Sequence, residues 1–312
     1  MLIPPDRNWL VEVSRYHVAW DGSKSEGDSF LPPTKAATIE QSLHRISVDQ
    51  LPPKFTSPTL PIRLPVVERS STKLLWPYRP GIVLPFALMK SKGQSLDDID
   101  VIASTSLLYA LSGQVSDTIK DSFLLQMVGT TTTTIAIVHM RENMTNHSFG
   151  IGTLVETICC PPETPSSSSY SISRVEIGDR NFLFSTEVDG YDIEASATVE
   201  VKARRKTNPD IKGLIQIMTN GSSKIVNFKA SKDGLSLESS VVHTREEIMN
   251  LHQSNWIYIG QRIRYLLPMV LDNPKVRNAV DTPVVMTFDK ARLPQFSPAP
   301  SGYSVIPPDY HT

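Results

Sequence analysis

Proline placement limits this chain more than any other single feature. In the first 95 residues Pro32, Pro33, Pro52, Pro53, Pro58, Pro61 and Pro65 recur too closely for a long helix. Each removes a backbone donor and turns the preceding residue away from helical geometry. Leu60–Val67 therefore reads as extended chain laid across a surface, with room for one edge strand. Prolines return at Pro294, Pro298, Pro300, Pro307 and Pro308, so about 293–312 reads as an irregular tail, ordered only where it packs.

Between these limits the pattern is alternately apolar. Ser95, followed by Asp97 and Asp98, has the chemistry of a helix cap, and Val101–Leu111 has helix-compatible spacing. Phe123–Gly129 and Thr130–Met140 are rich in β-formers, and the threonine run is read as strand filler. Gly150–Cys160 opens a helix after a glycine, and Pro161–Ser169 is a loop. Strands are expected at Ser171–Ile177, Asn181–Asp189, Ala197–Ala203 and Lys224–Lys229, with a helix over Pro209–Asn220. Arg245–Leu267 carries a helical stripe of Ile248, Leu251, Trp256, Ile259, Ile263 and Leu267, stopped or kinked at Pro268. No repeat interrupts this order. The simplest account is a single domain over 1–312, with a proline-rich N-terminal portion and that C-terminal tail.

Composition excludes several classes. A 40% hydrophobic share supports a large core, but no run of about 18 apolar residues exists to cross a membrane as a helix. The N-terminal residues lack a basic head followed by an apolar segment, so no secretory signal is expected. The only cysteines, Cys159 and Cys160, are adjacent and lack nearby histidines, which argues against a disulfide framework or a zinc site. An intracellular, reducing setting is expected. A net charge of −1 gives no global basic field of the kind that coats RNA. A local groove beside a carboxylate cluster remains compatible with it. No phosphate-binding glycine loop and no Gly-x-Ser-x-Gly elbow is present, so NTPase and serine-hydrolase chemistry has no support.

The chemistry concentrates in Leu183–Asp189 and Thr198–Lys202. Strand side chains alternate, so Glu187 and Asp189 share one face, as do Glu200 and Lys202. A hairpin through Gly190–Ser196 would set these pairs side by side at a solvent-facing rim, over an apolar underside of Phe182, Phe184, Val188, Val199 and Val201. Carboxylates suit Mg²⁺ or Mn²⁺, and a lysine beside them can meet a phosphate or its attacking water. An ordinary hairpin with cross-strand Glu–Lys pairs would look the same.

Four ordered motifs go further. Gly152–Glu156, Leu183–Asp189, Val199–Lys202 and Leu214–Gln216 with Gly221 and Lys224–Val226 resemble the motifs of the DXO family of RNA 5′-end decapping exoribonucleases, within the PD-(D/E)xK nuclease superfamily. The resemblance covers roughly residues 98–230. It implies an α/β fold with a mixed β-sheet nuclease core flanked by helices. It also implies metal ligation by Glu156, Glu187, Asp189 and Glu200, with two divalent ions, Mg²⁺ or Mn²⁺. Lys202 and Gln216 would contact the scissile phosphate or the nucleophile. The implied activity is metal-dependent hydrolysis at RNA 5′ ends, by decapping or pyrophosphohydrolysis and 5′–3′ exonuclease action, in the nucleus or cytoplasm. One departure stands out. The family places an arginine upstream, near Ala103 or Ser104 here, and Asp98–Leu107 contains none. The second reading is therefore a catalytically altered chain that binds RNA or a partner 5′–3′ exoribonuclease; a third is a nuclease on DNA, which the core motifs fit equally.

Three further features are read more plainly. The basic run Lys202–Lys206 is a solvated strand end or a phosphate track. His139, His147, His243 and His252 are scattered and expected to face solvent or cap helices. Trp256 and Tyr258 are expected in the core.

Overall fold

Extended apolar runs too short for helices pair into two sheets, and the helices fill the space against them. The structure is a computed structural model that describes residues 10–19, 46–48, 50–65, 98–113, 122–128, 134–140, 151–161, 167–177, 180–280, 282–301 and 305. In chain order the elements are β1 (Leu10–Ala19), β2 (Ile46–Val48), β3 (Ile62–Arg63), β4 (Val101–Ala103), α1 (Thr105–Ser112), β5 (Ser122–Val128), β6 (Thr134–Met140), α2 (Ile151–Cys159), β7 (Ser167–Ile177) and β8 (Arg180–Val188). They continue with β9 (Gly190–Asp192), β10 (Ala197–Arg204), α3 (Ile211–Asn220), β11 (Lys224–Ala230), β12 (Ser236–Thr244), α4 (Arg245–Leu251), α5 (Gln253–Leu271), α6 (Pro274–Arg277), β13 (Val284–Phe288) and β14 (Pro294–Pro298). A nine-stranded sheet has the order β14-β13-β5-β6-β4-β8-β7-β1-β2, and a five-stranded sheet has the order β3-β12-β11-β10-β9. Both are mixed: β4 runs parallel to β6 and β8, and β10 parallel to β11. This is the α/β architecture expected.

Several expectations shift. Val101–Ala103, read as the start of a helix, is a central strand between β6 and β8 with all three side chains fully buried. Three apolar residues carry no periodicity of their own, so only their neighbours decide their state. The helix begins at Thr105, with Ser104 in extended geometry before it. Ser95, the expected cap, lies outside the described residues. Pro294–Pro298, read as part of an irregular tail, pairs antiparallel with β13. It ends the sheet, the place where a strand tolerates proline. Ile62–Arg63 is the edge strand foreseen, paired with β12.

The long helix does not stop at Pro268; α5 runs through it to Leu271, and the break falls earlier, at His252. Ile248, Ile259, Ile263 and Leu267 are buried as the stripe predicts, but Leu251 is 61% exposed beside that break. Trp256 packs on the main core, whereas Tyr258 faces solvent. His139 is buried against the Phe123 ring rather than exposed, and His147 lies outside the described residues. His243 and His252 meet the backbone oxygens of Thr207 and Pro209. No helix among the described residues is long and apolar enough to cross a membrane.

Two apolar clusters hold the elements. The larger gathers Leu107, Phe182, Phe184, Leu214, Ile215 and Ile263 under α1, α3 and α5. The smaller gathers Val155, Cys159, Val201, Val226 and Phe228 between α2 and the five-stranded sheet. Much of the strand is buried on both faces: Phe182 to Thr186 are all buried, so the apolar underside expected for β8 is matched by a sheltered opposite face at Leu183 and Ser185.

Candidate functional site

The chain leaves the nine-stranded sheet at Val188 and enters the five-stranded sheet at Gly190, so Asp189 stands on the seam. The expected hairpin is displaced by one element. β10 pairs with β9, not with β8, through Val199 opposite Gly190 and Ala197 opposite Asp192. The carboxylates still converge, but across a seam between sheets.

Gly190 makes this seam possible. A Cβ there would collide with Cys160 Sγ and stand 3.3 Å from Pro53 O. Gly190→Ala is therefore expected to destabilise the protein by about 1–3 kcal/mol through overpacking. Thermal unfolding checks it, and an unchanged midpoint would contradict this close approach.

Asp189 accepts a hydrogen bond from the Val201 backbone N–H at 2.7 Å and from Lys202 Nζ at 3.1 Å. Lys202 Nζ also donates to Glu200 Oε2 at 2.8 Å. One ammonium thus bridges two carboxylates, and both are sheltered: the Asp189 side chain is 8% exposed and that of Glu200 0%. The expected solvent-facing rim is wrong for Glu200. Helix α3 buries it, and the helix supplies Gln216 Nε2 to Glu200 Oε2 and Asn220 Nδ2 to Oε1.

Local sequence explains why α3 sits there. Asp210 caps it by accepting from Gly213 N at 2.9 Å, and Gly221 closes it in the left-handed conformation. Gly213 lets the helix approach β11, since a Cβ would lie 2.9 Å from Ile225 Cδ1. Arg204 binds Asp210 at 2.7 Å, tying the end of β10 to the start of the helix. The strand bearing Glu200 and Lys202 and the helix bearing Gln216 and Asn220 are fixed together.

The electrostatics is that of crowded carboxylates. Burial first, then the charges of Asp189 and Glu187, push Glu156 on α2 up to about 8, against the pull of Lys202. Glu200 is raised well above the ordinary carboxylate value by burial and then by Asp189. Burial would pull Lys202 down, but Asp189, Glu200 and Glu156 outweigh it and hold the amine charged. Glu187 is exposed and acts on Glu156 through its charge. Cys159 is pushed up to about 12, by burial and then by Asp189 and Glu156, so it is an inert thiol.

A sign follows for metal-free protein. Between an ordinary 4.5 and about 8, folded Glu156 holds a proton that the unfolded chain has released. Stability contributed by this group therefore falls as pH rises through that window. Melting in chelator is expected to show it, and Glu156→Gln is expected to flatten the slope. A midpoint rising steadily with pH, unaltered by the substitution, would contradict the crowding.

The donor set fits a divalent cation in kind: four hard-oxygen side chains, Glu156, Glu187, Asp189 and Glu200, outnumber one ammonium. Among the described residues no three His, Cys, Asp or Glu side chains already form a metal shell, and Lys202 Nζ sits between Asp189 and Glu200. Sequence reasoning missed Asn220 and Tyr109. Asn220 follows Gln216 by four residues on one helix, so i, i+4 geometry was the available signal. Tyr109 on α1 is raised by burial and feels both Lys202 and Glu200. Nothing in its local sequence marks it. Ser104, where the arginine was expected, precedes this same helix. Arg63 is exposed on the edge strand β3, and Arg69 lies outside the described residues.

No protein-family model matches the chain, and no curated protein matches it in sequence. Solved structures do match. S. pombe Rai1 in complex with 3′-FADP aligns with a TM-score of 0.61 at 15% identity, covering 89% of each chain. Candida albicans Rai1 in complex with pU5 and Mn²⁺ aligns at 0.59 and 14% identity, over 97% of this chain and 94% of that one. K. lactis Dxo1 in complex with manganese aligns at 0.57 and 12% identity, over 95% and 91%. Across nearly its whole length this chain has the fold of the Rai1 and Dxo1 structures, the fold that its DXO-like motifs predict.

Proposed function

We propose that this protein is a divalent-metal-dependent hydrolase acting at RNA 5′ ends, by decapping or pyrophosphohydrolysis and by 5′–3′ exonuclease action. The observation that carries the reading is Lys202, held charged between Asp189 and Glu200 on the seam of the two sheets. Similarity of fold to Rai1 bound to pU5 and Mn²⁺ supports it. Glu156, Glu187, Asp189 and Glu200 would hold one or two ions of Mg²⁺ or Mn²⁺. A bound ion supplies charge to a phosphate oxygen and acidifies a water. Lys202 would release one carboxylate to turn its ammonium to the scissile phosphate, where negative charge develops. Gln216, held on Glu200 by the helix, would orient the phosphate or the water.

The second reading, a catalytically altered chain that binds RNA or a partner exonuclease, is favoured by one observation: no arginine stands at Ala103–Ser104. Incubating 5′-labelled RNAs ending in a triphosphate, a monophosphate or a cap with Mg²⁺, Mn²⁺ or chelator separates the two. Metal-dependent release of product from at least one end supports the enzyme. Tight RNA binding without release from any end supports the second reading.

A further inference from the structure

We propose that Asn227 reads the ribose 2′-hydroxyl of the bound strand and so makes the site prefer RNA over DNA; this rests on the reading of the site as an RNA hydrolase. Asn227 is 1% exposed, and both its carboxamide nitrogen and oxygen find no hydrogen-bond partner among the described residues. A buried amide with both ends unmet is costly, and such groups call for a ligand or a water.

Its position gives the ligand. β10 and β11 run parallel, with Lys202 in register with Asn227. Val226 and Phe228, the flanking residues, pack in the apolar cluster with Val201 on the opposite face. Asn227 therefore shares the face of Lys202. Lys202 and Asn227 are cross-strand neighbours on that face, and the Lys202 head binds Asp189, which precedes β9 on the other side of β10. The next strand lies about 4.8 Å away, the span from a backbone phosphate to its own sugar rather than to a base.

The chemistry selects the same group. A carboxamide presents a donor and an acceptor together, and phosphate oxygens only accept. A ribose 2′-hydroxyl both donates and accepts, and it is the group that distinguishes RNA from DNA. The Lys202 side chain beside Asn227 is 18% exposed, so a strand bound at Lys202 would come up to Asn227 from there. The 205–210 segment that follows β10 is tied down by His243 Nε2 to Thr207 O at 3.0 Å and by Arg204 to Asp210 at 2.7 Å.

The test compares wild type and Asn227→Ala in the full chain, using a short 5′-monophosphorylated RNA, the matched DNA, and RNAs with one deoxyribose at successive positions. Affinity is measured in chelator and cleavage with Mn²⁺. Wild type is expected to lose roughly tenfold on one deoxyribose near the 5′ end, and Asn227→Ala is expected to erase that difference. Asn227→Ser repeats the comparison should the alanine variant not fold. An unchanged RNA-to-DNA ratio in the variants, with only a lowered melting point, would mean that Asn227 holds a structural water and would overturn the proposal. So would a preference that follows base identity. Wild type that cleaves RNA with no ribose sensitivity at any position sinks this inference alone; wild type that neither binds nor cleaves RNA sinks the hydrolase reading with it.

Discussion

Lys202→Met is expected to lower single-turnover RNA cleavage by about 10²–10³-fold while leaving RNA affinity near that of the wild type. An ammonium that acts where negative charge develops stabilises the transition state more than the bound substrate. The structure adds a stability effect that a surface hairpin would not have. Lys202 is the cation between Asp189 and Glu200, and Glu200 is fully buried. Breaking a buried pair costs up to about 3–5 kcal/mol. Here the cost is smaller, because Glu200 keeps the amides of Gln216 and Asn220 as donors. Cleavage, affinity and melting are measured together. Unchanged cleavage would remove Lys202 from the chemistry, and a loss of affinity equal to the loss of rate would make it a binding group.

Glu200→Gln is expected to reduce hydrolysis to background and to destabilise the fold as well. Three donors converge on this carboxylate: Lys202 Nζ, Gln216 Nε2 and Asn220 Nδ2. A glutamine offers a single oxygen and turns its own NH₂ against one of those donors. In a fully buried position that mismatch costs about 1–3 kcal/mol. Asp189→Asn provides the contrast. Its oxygen can still accept from Val201 N–H, so folding should suffer less while hydrolysis is still lost. Normal activity in either variant would contradict the assignment of these carboxylates.

Much of this site is written in short-range pattern. Strand alternation alone singles out Glu187, Asp189, Glu200 and Lys202, and Glu156 and Gln216 follow from ordered motifs. What alternation cannot encode is which sheet a strand joins. β8 and β10 read as two arms of a hairpin because only eight residues separate them, with turn chemistry between, yet they lie in different sheets. That single topological fact turns a presumed rim into a sheltered seam. It buries Glu200 under α3 and brings in Asn220. Val101–Ala103 and Pro294–Pro298 were obscure for a related reason. The first is too short to show a period, and the second carries prolines that only a sheet edge tolerates. Tyr109 and Asn227 owe their positions to contacts between distant segments, so no local signal could have marked them.

Diffraction from crystals soaked in Mn²⁺, with the anomalous signal locating the ion, tests whether these carboxylates form a metal site. Mn²⁺ is expected among Glu156, Asp189 and Glu200, with Lys202 Nζ moved away from at least one of its two carboxylates. Lys202 still bridging Asp189 and Glu200 in saturating Mn²⁺, with no anomalous peak beside them, would contradict it.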